Sequence, residues 1–180
     1  MDVLSKAMYH ARELAMSRMR AEATAMGADG IVGVKLTIKR LEWDEHLLEF
    51  IAIGTGVVHG DGHKGFRAHD GGPFTSDLTG QDFWSLLHAG YRPVEMVMGS
   101  CVYRGVLSSL ARVGQNVELE YEAAAAKAEG VVGVDIHEGS HGWQTHVIEF
   151  FAIGTAVLPL DQEIAPEKIA DPIMVLSVND

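Results

Sequence analysis

Two periods of hydrophobic and polar residues alternate along this chain, and the switches between them lay out its elements. From about residue 4 to 26 the sequence is rich in Ala, Met, Leu, Arg and Glu without Gly or Pro, which predicts a helix. Met8, Ala15, Met19 and Met26 form one strip at helical spacing, and Ala11, Leu14, Ala21 and Ala25 outline a second. One strip covers one sheet, so two predict a helix held between its own sheet and a further surface, such as another subunit. Gly27-Ala28-Asp29-Gly30 stops the helix, because glycine accepts the left-handed conformation of a helix end. The period then becomes two. Residues 31–38 read as a strand with Val34, Leu36 and Ile38 on one face. Residues 46–58 read as a longer one, with Leu47, Glu49, Ile51 and Ile53 opposite His46, Leu48, Phe50, Ala52 and Gly54.

A Gly/His/Asp-rich stretch, 60–72, reads as a linker. A short helix over 81–89 follows, with Ser76 or Asp77 as its expected cap and Gly90 as its stop. Residues 92–103 are strand-like with Pro93 near the start, 107–128 helical, and 131–137 and 145–158 strand-like. The tail carries Pro166 and Pro172, then a β-prone run over 173–178.

The second set of elements copies the first. Gly30-Ile31-Val32-Gly33-Val34 returns one hundred positions later as Gly130-Val131-Val132-Gly133-Val134. Phe50 to Val57 returns as Phe150 to Val157, and Trp43, His46 and Glu49 as Trp143, His146 and Glu149. Such self-similarity predicts one small unit built twice. The expected fold is α+β: two tandem strand-helix-strand-strand units with antiparallel sheets, over 1–59 and 73–159, followed by a tail over 160–180. The first unit lacks a leading strand of its own, so its sheet should offer an open edge, and residues 173–178 are the spare strand to fill such an edge.

Units of this size have thin cores and gain burial from neighbours. The 180 residues contain 47% hydrophobic positions, ordinary for a globular protein. No apolar run approaches the roughly 18 residues that span a bilayer, and no charged-then-apolar signal segment opens the sequence. A single cysteine, Cys101, excludes an internal disulfide framework and suits a reducing compartment, so the expected location is cytoplasmic. The net charge is -11 and Arg12, Arg18 and Arg20 are interleaved with Glu13 and Glu22, a solvated pattern without the basic patch that nucleic acid requires.

Ala11-Arg12-Glu13-Leu14-Ala15, then Met26-Gly27-Ala28-Asp29-Gly30-Ile31-Val32-Gly33-Val34 and Ile53-Gly54-Thr55-Gly56-Val57, resembles the YbjQ-like family of small bacterial proteins, which is named for heavy-metal binding. The second copy is similar to the same domain, with Gly90-Tyr91-Arg92-Pro93-Val94-Glu95-Met96-Val97-Met98-Gly99-Ser100 matching its leading strand. The resemblance implies a dodecin-like fold class and homo-oligomeric rings built on pentamers. The tandem arrangement and the start at a helix depart from the single-domain pattern, which leaves the stoichiometry open.

Nine histidines supply the candidate metal ligands. His137 and His141, with His146 across the expected turn, are the expected set for a divalent transition metal such as zinc, copper or nickel. The first unit has Thr37 and Leu41 at the first two positions, so the cluster is not built into the repeat, and a polar exposed loop is the alternative. His46/Glu49 and His146/Glu149 recur, but strand positions three apart face opposite ways. A shared site would therefore need a neighbouring strand or chain, and a polar contact between subunits is the alternative. A carboxylate buried at Glu49 or Glu149 would need a partner. Cys101 alone is too few thiolates for a soft-metal site and reads as a small core residue. His59, His63 and His69 lie in the Gly-rich stretch with Asp61 and Asp70, where flexible backbone makes weak sites. With no nucleophile-elbow or phosphate-loop pattern, the expected protein is a non-enzymatic, cytoplasmic, homo-oligomeric module that binds metal. The alternatives are a scaffolding ring or shell-like assembly, and a stacking pocket for a small aromatic ligand near Trp43 and Trp143.

Overall fold

The chain carries two three-stranded sheets that share a core. A computed structural model describes residues 2–40, 48–60, 66–104, 127–140 and 147–160. Helix α1, Asp2–Ala25, ends where the glycine pattern places its stop. Gly27 takes φ +76, and the Ala28 and Gly27 N–H groups donate to the Ala23 and Thr24 carbonyls at 2.9 and 3.0 Å. That pair of bonds is a Schellman cap, which satisfies carbonyls a helix end otherwise leaves open.

Strand β1, Gly30–Arg40, pairs antiparallel with β2, Leu48–Val57, from Gly30↔Val57 to Arg40↔Leu48. A bulge falls between Val32 and Lys35, where Gly33 adopts φ +62. Past the second half's leading strand, β5 (Gly130–Ser140) and β6 (Val147–Pro159) pair from Gly130↔Val157 to Ser140↔Ile148, with their bulge between Val132 and Asp135. Gly133 there has φ +66. The two hairpins correspond pair for pair at the offset of the sequence repeat.

Their surroundings differ. In the second sheet β4, Tyr91–Arg104, pairs antiparallel with β6, so β6 is central in the order β4-β6-β5. In the first sheet β2 has β1 on one side and no strand on the other among the described residues. The third strand there is β3, Phe74–Thr75, which runs parallel to β1 on its far edge. The alternation pattern foresees only antiparallel pairing. β3 is held by the Phe74 N–H donating to the Asp29 carbonyl at 3.2 Å and the Ser76 N–H to that of Ile31 at 2.9 Å. Past it, at the β1 bulge, the Gly33 N–H donates to the Leu78 carbonyl at 2.8 Å and the Val34 N–H to that of Ser76 at 2.9 Å. The ladder that the bulge interrupts is thereby continued by another segment.

The Gly/His-rich stretch is described from residue 66 onward, and there it is packed. Phe66 and Ala68 are buried, and Arg67 bonds Asp29 at 2.8 Å. Helix α2, Gly80–His88, is capped by Thr79, one turn later than Ser76 or Asp77. Thr79 Oγ1 accepts from the Asp82 N–H at 3.2 Å, as an N-cap does, and donates to the Asp82 carboxylate at 2.7 Å. Ser76 and Asp77 are committed to β6 instead, as described below. Gly90, φ +84, closes the helix as expected.

Met16, Ala23, Ile31 and Val34 join Met96, Met98, Phe151 and Ile153 in one buried cluster, with Met19, Leu36 and Ala52 packed against it. The further surface beside α1 is thus the second sheet of the same chain. Neither expected strip is the buried one: Arg12, Met16 and Ala23 are buried, whereas Leu14 and Met26 are exposed. Arg12 is 1% exposed, with its guanidinium 4.1 Å from the Phe151 ring centroid and 5.4 Å from that of Phe50. Cation–π attraction of about 0.5–2 kcal/mol helps a charge hold such a position. A smaller cluster of Val32, Phe66, Phe74 and Leu87 lies beneath α2. All of the segment 107–128 but its last two residues, the tail run 173–178, Trp43, Trp143, His46, His63, His141 and His146 lie outside the described residues.

Candidate functional site

Within each hairpin the second strand turns one face toward apolar partners, and what covers the opposite face separates the two sheets. On β6, Phe151, Ile153 and Thr155 are all buried. Phe151 and Ile153 share a cluster with Met16 of α1, and Arg12 lies over the Phe151 ring. On β2 the corresponding positions are Ile51, Ile53 and Thr55. Ile53 is 63% exposed against 8% for Ile153, and Thr55 is exposed while Ile51 is half-buried. Val58, just past the strand, is exposed as well. β2 therefore combines an unpaired edge with an uncovered apolar face among the described residues. Glu49 lies on this outward face and is exposed, so its carboxylate needs no buried partner.

A polar seam fastens the sheets together. Thr155 Oγ1 lies 2.9 Å from Ser76 Oγ and accepts from the Asp77 N–H at 3.2 Å. Thr155 Oγ1 in turn donates to the Asp77 carboxylate. Burial raises the Asp77 carboxyl above its ordinary value, and the charge of Asp135 adds to that. At the other side of the seam Arg20 donates to Asp70 at 2.7 Å and lies 3.8 Å from Glu95. Burial raises Glu95 too, with Arg20 opposing. Asp70 is held low, first by the Gly72 N–H and also by Arg20. Asp29 is likewise low, first through the His59 backbone N–H and also through Arg67.

Of the expected metal set, His137 is described: it is exposed on β5, with Nε2 3.1 Å from Asp135 Oδ2. Residues two apart on a strand share a face, so Asp135 adds an oxygen donor beside the imidazole. Among the described residues no group of three or more His, Cys, Asp and Glu gathers at metal-binding distance. His59 packs its ring 5.2 Å from that of Phe66, His69 is exposed, and Cys101 sits on β4 opposite Phe150.

Residues 1–60 match the profile of a family described as "Putative heavy-metal-binding". Along 180 aligned positions the chain is 40% identical to a protein of Mycobacterium tuberculosis (strain ATCC 25618 / H37Rv) named as an encapsulin nanocompartment protein, covering 87% of this chain and 68% of that one. This chain belongs to that protein's family. The profile match to the heavy-metal-binding family spans α1, β1 and β2, the segment that contains the uncovered β2 face. Among the described residues no helix is long and apolar enough to cross a membrane.

Asp135 and Asp77 escaped the reading of the sequence for different reasons. Asp135 was legible as a same-face neighbour of His137, since strand alternation alone pairs them. Asp77 comes to Asp135 from the segment after β3, and nothing in local spacing signals that approach.

Proposed function

We propose that this chain is a non-enzymatic, self-assembling module of two tandem units, and that copies join through the β2 face and edge into a closed ring. The observation that carries this reading is Ile53: its counterpart Ile153 is buried in the cluster that α1, β1 and β4 share, while Ile53 stays 63% exposed. The chain thus contains both an apolar strand face and a demonstration of what covers such a face. A second copy supplies a like surface, because the segment 107–128 stands to the second hairpin in sequence as α1 stands to the first. Contacts of this head-to-tail kind propagate until a ring closes. The resemblance to YbjQ-like proteins supports a pentamer-based closure. The nanocompartment relative supports an assembly role over a catalytic one, and the single cysteine supports a cytoplasmic setting.

Light scattering on the untagged protein tests this. The expected mass is a multiple of 19.5 kDa, and Ile53→Lys should shift it to smaller species while the far-ultraviolet spectrum is kept. A wild-type monomer at micromolar concentration would count against assembly.

Metal binding is the second reading, supported by the family description and by His137 beside Asp135. A nitrogen and an oxygen donor suit zinc, copper or nickel, with His141 and His146 as the expected further ligands. Calorimetric titration with each ion should give stoichiometric binding that His137→Ala weakens. Equal binding by the variant would remove the hairpin as the site.

A further inference from the structure

A second cleft, apart from the β2 face and the histidine hairpin, collects positive charge in a chain whose net charge is -11. It encloses about 510 Å³ between the 67–71 loop, the start of β4 and the end of β6. Arg67, His69 and Arg92 line it, Val94 and Leu158 contribute apolar wall, and no acidic side chain is among its described lining residues.

The loop that carries Arg67 is fixed by its own backbone. Gly71 takes φ +78, and its N–H donates to the Ala68 carbonyl at 2.9 Å while the Ala68 N–H donates to that of Gly72 at 3.0 Å. Arg67 spends Nη2 on Asp29 at 2.8 Å and Nη1 on the Gly71 carbonyl at 3.2 Å. Its Nε is buried without a hydrogen-bond partner, so one donor of the fork stays unused. Arg92 has its guanidinium tethered by one long bond, 3.4 Å from Nη1 to the Arg67 carbonyl. Asp29 offsets the charge of Arg67. Arg92 has no such counterpart among the described residues, and a half-buried guanidinium presents up to five donors in a fixed plane.

We propose that this cleft binds a small oxyanion, a phosphate or carboxylate group, with Arg92 as the principal ligand-binding residue. Planar guanidinium groups match both anions through paired charge-assisted hydrogen bonds. The partly desolvated wall strengthens those bonds relative to a free surface.

Calorimetry on the full chain in low-salt, phosphate-free buffer is the test, with inorganic phosphate and malonate as probes. Saturable binding of at least one probe is expected with Kd below about 1 mM. Arg92→Ala should weaken it by about tenfold or more, and Arg18→Ala, at an exposed position on α1, should leave it unchanged. The tighter probe identifies the anion class. Arg92→Gln keeps the packed stem and replaces Arg92→Ala if that variant loses its melting transition. Absence of saturable binding for both anions, or equal affinity in wild type and the Arg92 variant, would overturn the proposal.

Discussion

Strands β2 and β6 carry nearly the same eight residues, Phe-Ile-Ala-Ile-Gly-Thr-Gly-Val and Phe-Phe-Ala-Ile-Gly-Thr-Ala-Val, in the same register against their partners. One is an uncovered edge and the other a buried centre. The comparison separates two things that sequence patterns run together. Alternation and bulge glycines set how a strand pairs, whereas burial depends on what else arrives at its faces. Gly54 and Gly154 show the shared part: a Cβ at either would come within 2.5 or 2.7 Å of a neighbouring Ile31 or Val131 methyl. The differing positions follow the surroundings. Phe151 in place of Ile51 offers a ring to Arg12, and Ala156 in place of Gly56 packs with Val97 and Ala152.

The sharpest break of this comparison is a charge placed on each copy. Ile153→Lys should lose about 4 kcal/mol or more, because it buries an unpaired ammonium, and unfolding scans should show a collapsed transition. Ile53→Lys should keep the fold. Similar losses from both would mean that the β2 face is buried in solution as fully as that of β6.

Matched glycines give the next effect. A Cβ on Gly30 would lie 1.9 Å from the Phe74 ring, whereas on Gly130 its nearest neighbour is Val157 at 3.8 Å. Gly30→Ala should cost about 1–3 kcal/mol through overpacking. Gly130→Ala should be neutral or gain about 0.4–1 kcal/mol by restricting the unfolded chain. Denaturant midpoints of the two variants check the difference.

Matched threonines come third. Thr155→Val strips Ser76 and Asp77 of a buried partner and should cost about 1–3 kcal/mol, while Thr55→Val should stay within about 0.5 kcal/mol.

The smallest effect is a pH dependence at the seam. Asp77 titrates above its ordinary 3.8, so the folded state binds that proton more tightly than the unfolded chain does. Its contribution is present below pH 3.8 and is lost as pH rises through the raised folded value. Asp77→Asn removes this penalty, so the melting temperature of the variant relative to wild type should be higher at neutral pH than near pH 4. A constant difference across that range would show that Asp77 titrates normally. Asp29 and Asp70, held low, act in the opposite sense and destabilise as pH falls through their lowered values.

Several elements were legible because their causes are local. The stop of α1 at Gly27, the two hairpins and the Gly90 closure each follow from residues a few positions apart. The buried stripe of α1 was not, since an arginine in a core position contradicts the apolar period, and only the Phe50 and Phe151 rings reveal why it is accepted. β3 spans two residues, too short for any pattern. Local sequence does not single out Thr79 as the cap, because Ser76 and Asp77 present equal capping chemistry and their engagement with Thr155 is a long-range contact. At the histidine hairpin, His137 is a candidate by residue type alone, and its neighbour Asp135 follows from the strand period.

The sequence by itself determined the helix, the repeated hairpins and their bulges, because backbone conformation and strand pairing answer to side chains close by along the chain. Tertiary structure alone decided that α1 joins both sheets in one core, that β3 runs parallel to β1, and that Ile153 is hidden while Ile53 faces outward. Burial is a property of the neighbours a surface acquires, and two nearly identical motifs acquire different ones when a helix and a neighbouring strand pack on the second motif's outer face and nothing described reaches that of the first.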